Sequence, residues 1–487
     1  MDEAYQLVIG GRRVPGDEGT YAVTNPANPE EVVLHAPAAS TDQLDAAVAG
    51  AKDAGRAWAA TAPEARAAAV IAAAAAAGRA VESEGLARLL TREHGKVLWE
   101  AMFDAGTVGS MAGAFAPVAE SANAPRSTAS GRKRTDVRRV PHGVVAALLP
   151  FNWPVAVMGN KVLPALLTGN TVVVKAPPTC PGAVLRCVAA MAAELPDGVL
   201  NVVNGPHAAL GAALVAHPGV DMVSFTGGVA TGRAVMAAAA ASTKPVVLEL
   251  GGNDPAILAP DVAFDEALVD KVVGATYVTS GQVCMAIKRL YVPEGRVGEM
   301  AEALAARLCA EVVGDGLADG VTMGPVHLAP AAARVEALIA EAEHLGAKVL
   351  RPARVREEDV AAGGYFVSPA VVVGPPPTAG IVVEEQFAPA LPVLGYRDLD
   401  HAVAMANDTE FGLCASVWSN DGALADSVAA RLEAGTVFVN AHGMSAMDPS
   451  APMGGWKSSG FGVELGPEGM QAFTRPQVVL HHPAPGS

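Results

Sequence analysis

Cys284 stands inside Ser280-Gly-Gln-Val-Cys-Met-Ala286, downstream of a lone carboxylate, Glu249, in Leu248-Glu-Leu-Gly-Gly252. The two residue types make a thiol nucleophile and a base. A thiol attacks carbonyl carbon well only as the thiolate, which requires a neighbouring base or a positive local field. Either residue alone fits a structural role, as a cysteine packed among apolar neighbours or a glutamate ending a strand. The pair takes its chemical reading from the segments around it.

Upstream lie Pro150-Phe-Asn-Trp-Pro-Val155, Asn170-Thr-Val-Val-Val-Lys175 and Phe225-Thr-Gly-Gly228, and downstream come Glu384-Glu-Gln-Phe387 and Pro452-Met-Gly-Gly-Trp-Lys457. In order and approximate spacing these resemble the signature segments of the NAD(P)-dependent aldehyde dehydrogenase superfamily, over nearly the whole chain. The resemblance implies that Cys284 attacks an aldehyde to form a thiohemiacetal. It implies that Asn152 and the backbone N–H of Cys284 donate to the oxyanion. Glu249 is then the base for the water that hydrolyses the resulting thioester, and helps to deprotonate Cys284. The flanking Gly251 and Gly252 are expected to keep room for its side chain.

For the cofactor, NAD or NADP, the resemblance places Lys175 on the adenosine ribose, Glu385 on the nicotinamide ribose and Phe387 beside the nicotinamide. It adds Phe225, Thr226, Gly227, Gly228, Gly232 and Leu250 to the dinucleotide site. Glycines at a helix start let the backbone approach a pyrophosphate, and a helix N-terminus favours negative charge. Some positions depart from the family pattern. Pro178 stands where a glutamate often accepts from the ribose 2′-hydroxyl; it neither makes that bond nor repels a 2′-phosphate, so a modest preference between NAD and NADP is expected. Gly228 replaces a phosphate-contacting serine or threonine, and Ala388 replaces a glycine near the nicotinamide end. Gly454, Gly455, Lys457, Ser459 and Gly460 resemble the glycine segment beside the substrate mouth. Trp153, Val157, Val283, Met285, Met447 and Met453 are candidates for the wall of the substrate tunnel, and favour a medium-sized apolar or aromatic aldehyde.

These residues need a scaffold. Residues 6–14 read as a hairpin around a Gly-Gly turn, Ser40 as a helix cap, and the chain through Glu120 as helices. From Gly143 short apolar strands alternate with helices: residues 143–149, 171–175, 199–203 and 222–225. Strands without polar alternation are buried on both faces, as in a parallel sheet covered by helices. The fold class is therefore α/β, with a Rossmann-like dinucleotide-binding domain over residues 1–120 and 142–251. A second series, residues 289–292, 347–350, 381–383 and 436–439, reads as strands of a second α/β catalytic domain over residues 252–450. In the family, the polar stretch 121–141 leaves the body as a β-hairpin and, with the tail 472–487, forms the oligomerisation element. A homodimer or homotetramer is expected, and loops longer than ~12–15 residues usually have a function or are disordered.

Composition narrows the class further. A chain of 487 residues with 51% hydrophobic content exceeds one ordinary core. Net charge is −16, and the basic stretch Gly131-Arg-Lys-Arg134 with Arg138 and Arg139 reads as a solvated hairpin face, so no nucleic-acid partner is expected. Five cysteines without metal-type spacing exclude a complete disulfide framework and fit a reducing cytoplasm, with no metal expected. The acidic start, Met1-Asp-Glu-Ala-Tyr, argues against secretion, and the apolar run 67–77 falls short of the ~20 residues that span a bilayer. Among the thiols, Cys284 is expected to be alkylated first. The rival readings are a CoA-acylating aldehyde dehydrogenase, which commonly lacks the base at the Glu249 position, and a non-catalytic binding or structural member of the fold.

Overall fold

The structure, a computed structural model, describes residues 5–130 and 133–483. Residues 1–4, Gly131 and Arg132, and residues 484–487 lie outside the described residues.

An eight-stranded sheet runs in the order Arg12–Val14, Leu7–Ile9, Leu200–Val203, Thr171–Lys175, Val144–Leu148, Met222–Thr226, Val246–Glu249, Gly460–Phe461. Its five central strands are parallel, and the N-terminal hairpin and the late strand Gly460–Phe461 close its edges antiparallel. The central strands are almost wholly buried because helices cover both faces, which explains their lack of polar alternation. The alanine-rich run forms the helix Pro63–Ser83, and Ser40 caps Thr41–Ala60 with a hydrogen bond from the N–H of Gln43.

A seven-stranded sheet follows, in the order Lys348–Leu350, Ala370–Val373, Ala390–Tyr396, Ile287–Pro293, Asp254–Leu258, Cys414–Trp418, Thr436–Val439. All its neighbours are parallel except Lys348–Leu350. Residues 381–383 are not a strand. They form a single helical turn, Gly380–Val383, whose first N–H is accepted by the Glu341 carboxylate. A run of three apolar residues carries no period by which helix and strand can be told apart.

A third, three-stranded sheet joins Arg126–Ser130, Lys133–Pro141 and the tail strand Thr474–His481. The helix before it, Leu98–Asn123, takes in residues 121–123. The tail strand shows Val478, Val479 and Leu480 to solvent. Among the described residues, no helix is long and apolar enough to cross a membrane.

Candidate active site

In the first sheet the chain lays down Val144–Leu148, Thr171–Lys175 and Leu200–Val203 toward one edge, then returns to place Met222–Thr226 and Val246–Glu249 on the other side. Such a reversal opens a crevice at the carboxyl ends of the strands. Asn152 follows the first of these strands, Lys175 ends the second, Gly227 and Gly228 follow the fourth, and Glu249 ends the fifth. A cleft of about 930 Å³ lies there.

Its wall includes Lys175, Phe225, Thr226, Gly227, Gly228 and Leu250 from the first sheet, Glu385 and Phe387 from the second, and both Asn152 and Cys284. Gly232 is not on that wall. A Cβ there would lie 2.4 Å from the Leu250 side chain, so this glycine lets Leu250 pack on the helix Val229–Ala240. Glu249 is also set behind the wall, at 4% exposure. The adjoining glycines serve a different purpose from the one expected. A Cβ at Gly251 would meet the Glu385 carboxylate at 2.3 Å, and one at Gly252 would meet the Cys284 carbonyl at 2.6 Å. They admit Glu385 and the Cys284 peptide, and leave Glu249 enclosed.

The cleft suits a dinucleotide. Thr226 Oγ1 is buried without a hydrogen-bond partner, and the space a Cβ would take at Gly228 is open. Gly228 caps Val229–Ala240 with no side-chain bond to the first-turn amides, leaving donors suited to phosphate. Lys175 Nζ donates to the carbonyls of Ala176 at 2.9 Å and Gly205 at 3.2 Å, and its third N–H is left for a ligand. Glu385 accepts from the Gly252 N–H at 3.0 Å. It is the only carboxylate on the cleft wall among the described residues. Pro178 also lines the cleft, its carbonyl held by the Tyr21 hydroxyl at 2.7 Å.

The candidate reacting groups are held by loops from both sheets. Asn152 Nδ2 donates to the Gln282 carbonyl at 2.9 Å, which orients the amide and leaves its second N–H free to serve an oxyanion. Lys288, not foreseen from sequence, donates to the carbonyls of Val283 at 2.8 Å and Cys284 at 2.5 Å and lies 3.7 Å from Glu385. Burial pushes the Cys284 thiol well above the usual thiol range; the nearby Glu249 carboxylate adds to the rise and Lys288 opposes it. Burial likewise holds Glu249 well above the usual carboxylate range, reinforced by Glu464 and opposed by Lys161. Burial thus disfavours the charged form of each group. Of the other thiols, Cys309 is exposed, while Cys180, Cys187 and Cys414 are buried.

Trp153, Val283, Met285 and Met453 are buried in one apolar cluster, and Val157, Met447 and Cys284 pack against it half-buried. None of the six tunnel candidates lines the cleft, whereas Cys284 belongs to both. Phe103, missed from sequence, meets Trp153 edge-on at 5.9 Å. The glycine segment ending at Gly460 pairs with Glu249 and the Ser459 carbonyl accepts from the Leu250 N–H, so this segment braces the strand that carries Glu249.

The model of the aldehyde dehydrogenase family matches residues 14–479. The chain belongs to that family. It is 37% identical over 476 residues to a geranial dehydrogenase of Castellaniella defragrans, covering 96% of this chain and 97% of that one. It is 36% identical to an NADP-linked succinate-semialdehyde dehydrogenase of Escherichia coli, covering 96% of each chain. A betaine aldehyde dehydrogenase of Staphylococcus aureus, solved with NAD+, superposes with a TM-score of 0.92 at 30% identity over 98% of this chain and 97% of that one. The expected family and α/β fold class are thus borne out, and both cofactors are represented among the family's members.

Burial pulls the Lys175 ammonium down to about 8, so its charge is largely present at neutral pH and lost as pH rises through that value. Dinucleotide affinity should fall above pH 8, by at most roughly tenfold per pH unit. Lys175→Met should bind more weakly with a flat profile. Fluorescence titrations between pH 6.5 and about 9.5 check this, and a flat wild-type profile would remove Lys175 from the binding site.

Proposed function

We propose that this aldehyde dehydrogenase oxidises a medium-sized apolar or aromatic aldehyde to the carboxylic acid with NAD or NADP, using Cys284 as nucleophile, Asn152 as oxyanion donor and Glu249 as base. The observation that carries the reading is the convergence of Cys284 and Asn152 on a cleft whose other wall residues suit a dinucleotide. The half-buried Val157 and Met447, which pack with Cys284 against one apolar cluster, support the substrate class. Free thiols support a cytoplasmic location. The separate sheets support a domain assignment of residues 1–120 and 142–251 for the dinucleotide, 252–450 for catalysis, and 121–141 with 472–487 for assembly.

Cys284 loses its proton to solvent with the help of Glu249, which is left as the carboxylate, and its sulfur bonds to the carbonyl carbon, whose π electrons pass to oxygen. Asn152 and the Cys284 N–H donate to that oxyanion. The bound dinucleotide supplies the acceptor for the hydride that leaves carbon, and the sulfur is left holding a thioester. Glu249 then takes a proton from water as the water oxygen bonds to the acyl carbon. The carbon–sulfur bond breaks, the acid leaves, and the thiol recovers a proton.

Cys284→Ala should abolish aldehyde oxidation while dinucleotide binding survives; more than a trace of turnover would mean another nucleophile. Glu249→Gln cannot accept a proton, so rapid mixing should give a burst of reduced cofactor near one per site followed by very slow turnover. No burst would place Glu249 before acylation, and wild-type turnover only when CoA is supplied would mean that water is not the acceptor. For assembly, the exposed apolar Val478, Val479 and Leu480 on the tail strand support at least a homodimer, extending to a tetramer if the three-stranded sheet pairs further. Light scattering at micromolar concentration checks this, and monomer alone contradicts it.

A further inference from the structure

Lys96, Glu100 and Asp104 recur every fourth residue, and all are at most 3% exposed. Glu100 and Asp104 lie on one face of the helix Leu98–Asn123, and Lys96 stands just before it. Charges at helical spacing ordinarily mark a solvated face; here they point inward, toward the loops that carry the reacting groups.

All three N–H donors of Lys96 are engaged. Nζ is 2.8 Å from Asp104 Oδ2, donates to the Asn152 carbonyl at 2.6 Å, and lies 3.9 Å above the Trp153 ring. The other Asp104 oxygen accepts from the Ala156 N–H at 2.8 Å, in the first turn of the helix Pro154–Leu167. That helix has no side-chain cap of its own at Trp153, so Asp104 supplies one from another helix. Glu100 works on the opposite loop. Its Oε1 accepts from the Thr279 N–H at 2.6 Å, while Oε2 accepts from the Val97 N–H at 3.2 Å. Thr279 and the next residue, Ser280, are left-handed in succession, at φ 53° and 55°, a costly backbone for non-glycine residues that surrounding bonds must enforce. Ser280 adds its hydroxyl to the Gly324 carbonyl at 2.8 Å. From that turn the chain runs four residues to Cys284.

A buried ion pair is a weak source of stability, and apolar residues of the same volume often serve as well. Apolar residues cannot donate to the Asn152 carbonyl or accept from Thr279. We propose that Lys96, Glu100 and Asp104 are positioning residues that register the two halves of the active site from one helix. Lys96 with Asp104 sets Asn152, and Glu100 sets the turn leading to Cys284. None touches the reacting atoms, and the inference rests on the roles given above to Asn152 and Cys284.

The test is a cycle of Lys96→Met and Asn152→Ala in the full chain, read as the rate of the reduced-cofactor burst. Dinucleotide affinity and the rate of iodoacetamide addition to the Cys284 peptide, separated by mass from the exposed Cys309, are measured alongside. Lys96→Met alone should slow the burst by about 10–100-fold, as expected for a small misplacement of a catalytic donor. Cofactor affinity and alkylation should stay within about twofold. In the Asn152→Ala background, Lys96→Met should add less than about twofold, since a residue acting through Asn152 has nothing left to act on. Glu100→Ala should slow burst and alkylation together, and Glu100→Gln, which keeps an acceptor for Thr279, should restore both. Losses that multiply in the double variant, or a normal burst in Lys96→Met, overturn the proposal. If Asn152→Ala alone leaves the burst unchanged, the oxyanion role of Asn152 fails first and the Lys96 arm falls with it. Should Lys96→Met not fold because Asp104 is left unpaired, Lys96→Met/Asp104→Asn removes both charges and enters the same cycle with the same expected outcomes.

Discussion

The hydrogen bond from Asn152 Nδ2 to the Gln282 carbonyl ties a loop that leaves the first sheet to a loop that enters the second. The chemistry proposed for this protein depends on that junction holding. An oxyanion donor is useful only when aimed in advance at the place where charge develops, and here the proposed donor and nucleophile arrive on separate stretches of chain, joined by a bond between residues 130 apart. The surrounding contacts fix each side of the bond. Gln282 is pinned through its own side chain, Oε1 accepting from the His327 N–H at 2.8 Å and Nε2 donating to the Thr279 carbonyl at 3.1 Å. Cys284 is pinned through its carbonyl by Lys288 and by the close approach that Gly252 allows.

The second governing feature is burial. Burial raises both the Cys284 thiol and the Glu249 carboxyl and so favours their neutral forms. Cys284 nevertheless reaches the cleft wall, whereas Glu249 lies behind it. The thiolate is the reactive species, so the groups around the thiol govern its reactivity. The Lys161–Glu464 pair, 2.6 Å apart and also buried, sits beside Glu249 and sets the local field in which its proton is held.

Much of this was legible in the sequence. Cys284, Glu249 and Asn152 stood out because their types and order match a known chemistry, and the strands around them because apolar runs without alternation belong to a covered parallel sheet. What stayed hidden was relational. Gly251 and Gly252 looked like space for Glu249, since sequence does not say that Glu385 and the Cys284 carbonyl come to lie where their Cβ atoms would be. Gly232 looked like part of a phosphate loop but answers to the Leu250 side chain. Lys96, Glu100 and Asp104 lie in a stretch that reads only as helical, because the pattern that gives a helix its face does not say whether that face meets water. Residues 381–383 were too few to show a period.

The central claim is that the acyl group passes through a covalent bond to Cys284 and is released by water under the control of Glu249. Peptide mass spectrometry of Glu249→Gln, acid-quenched after mixing with aldehyde and oxidised cofactor, tests it most directly. The account predicts a mass gain equal to the acyl group on the peptide carrying Cys284, in near-equal amount to the reduced cofactor formed. Stoichiometric reduced cofactor with no adduct, or with the adduct on Cys309 or another residue, would contradict it.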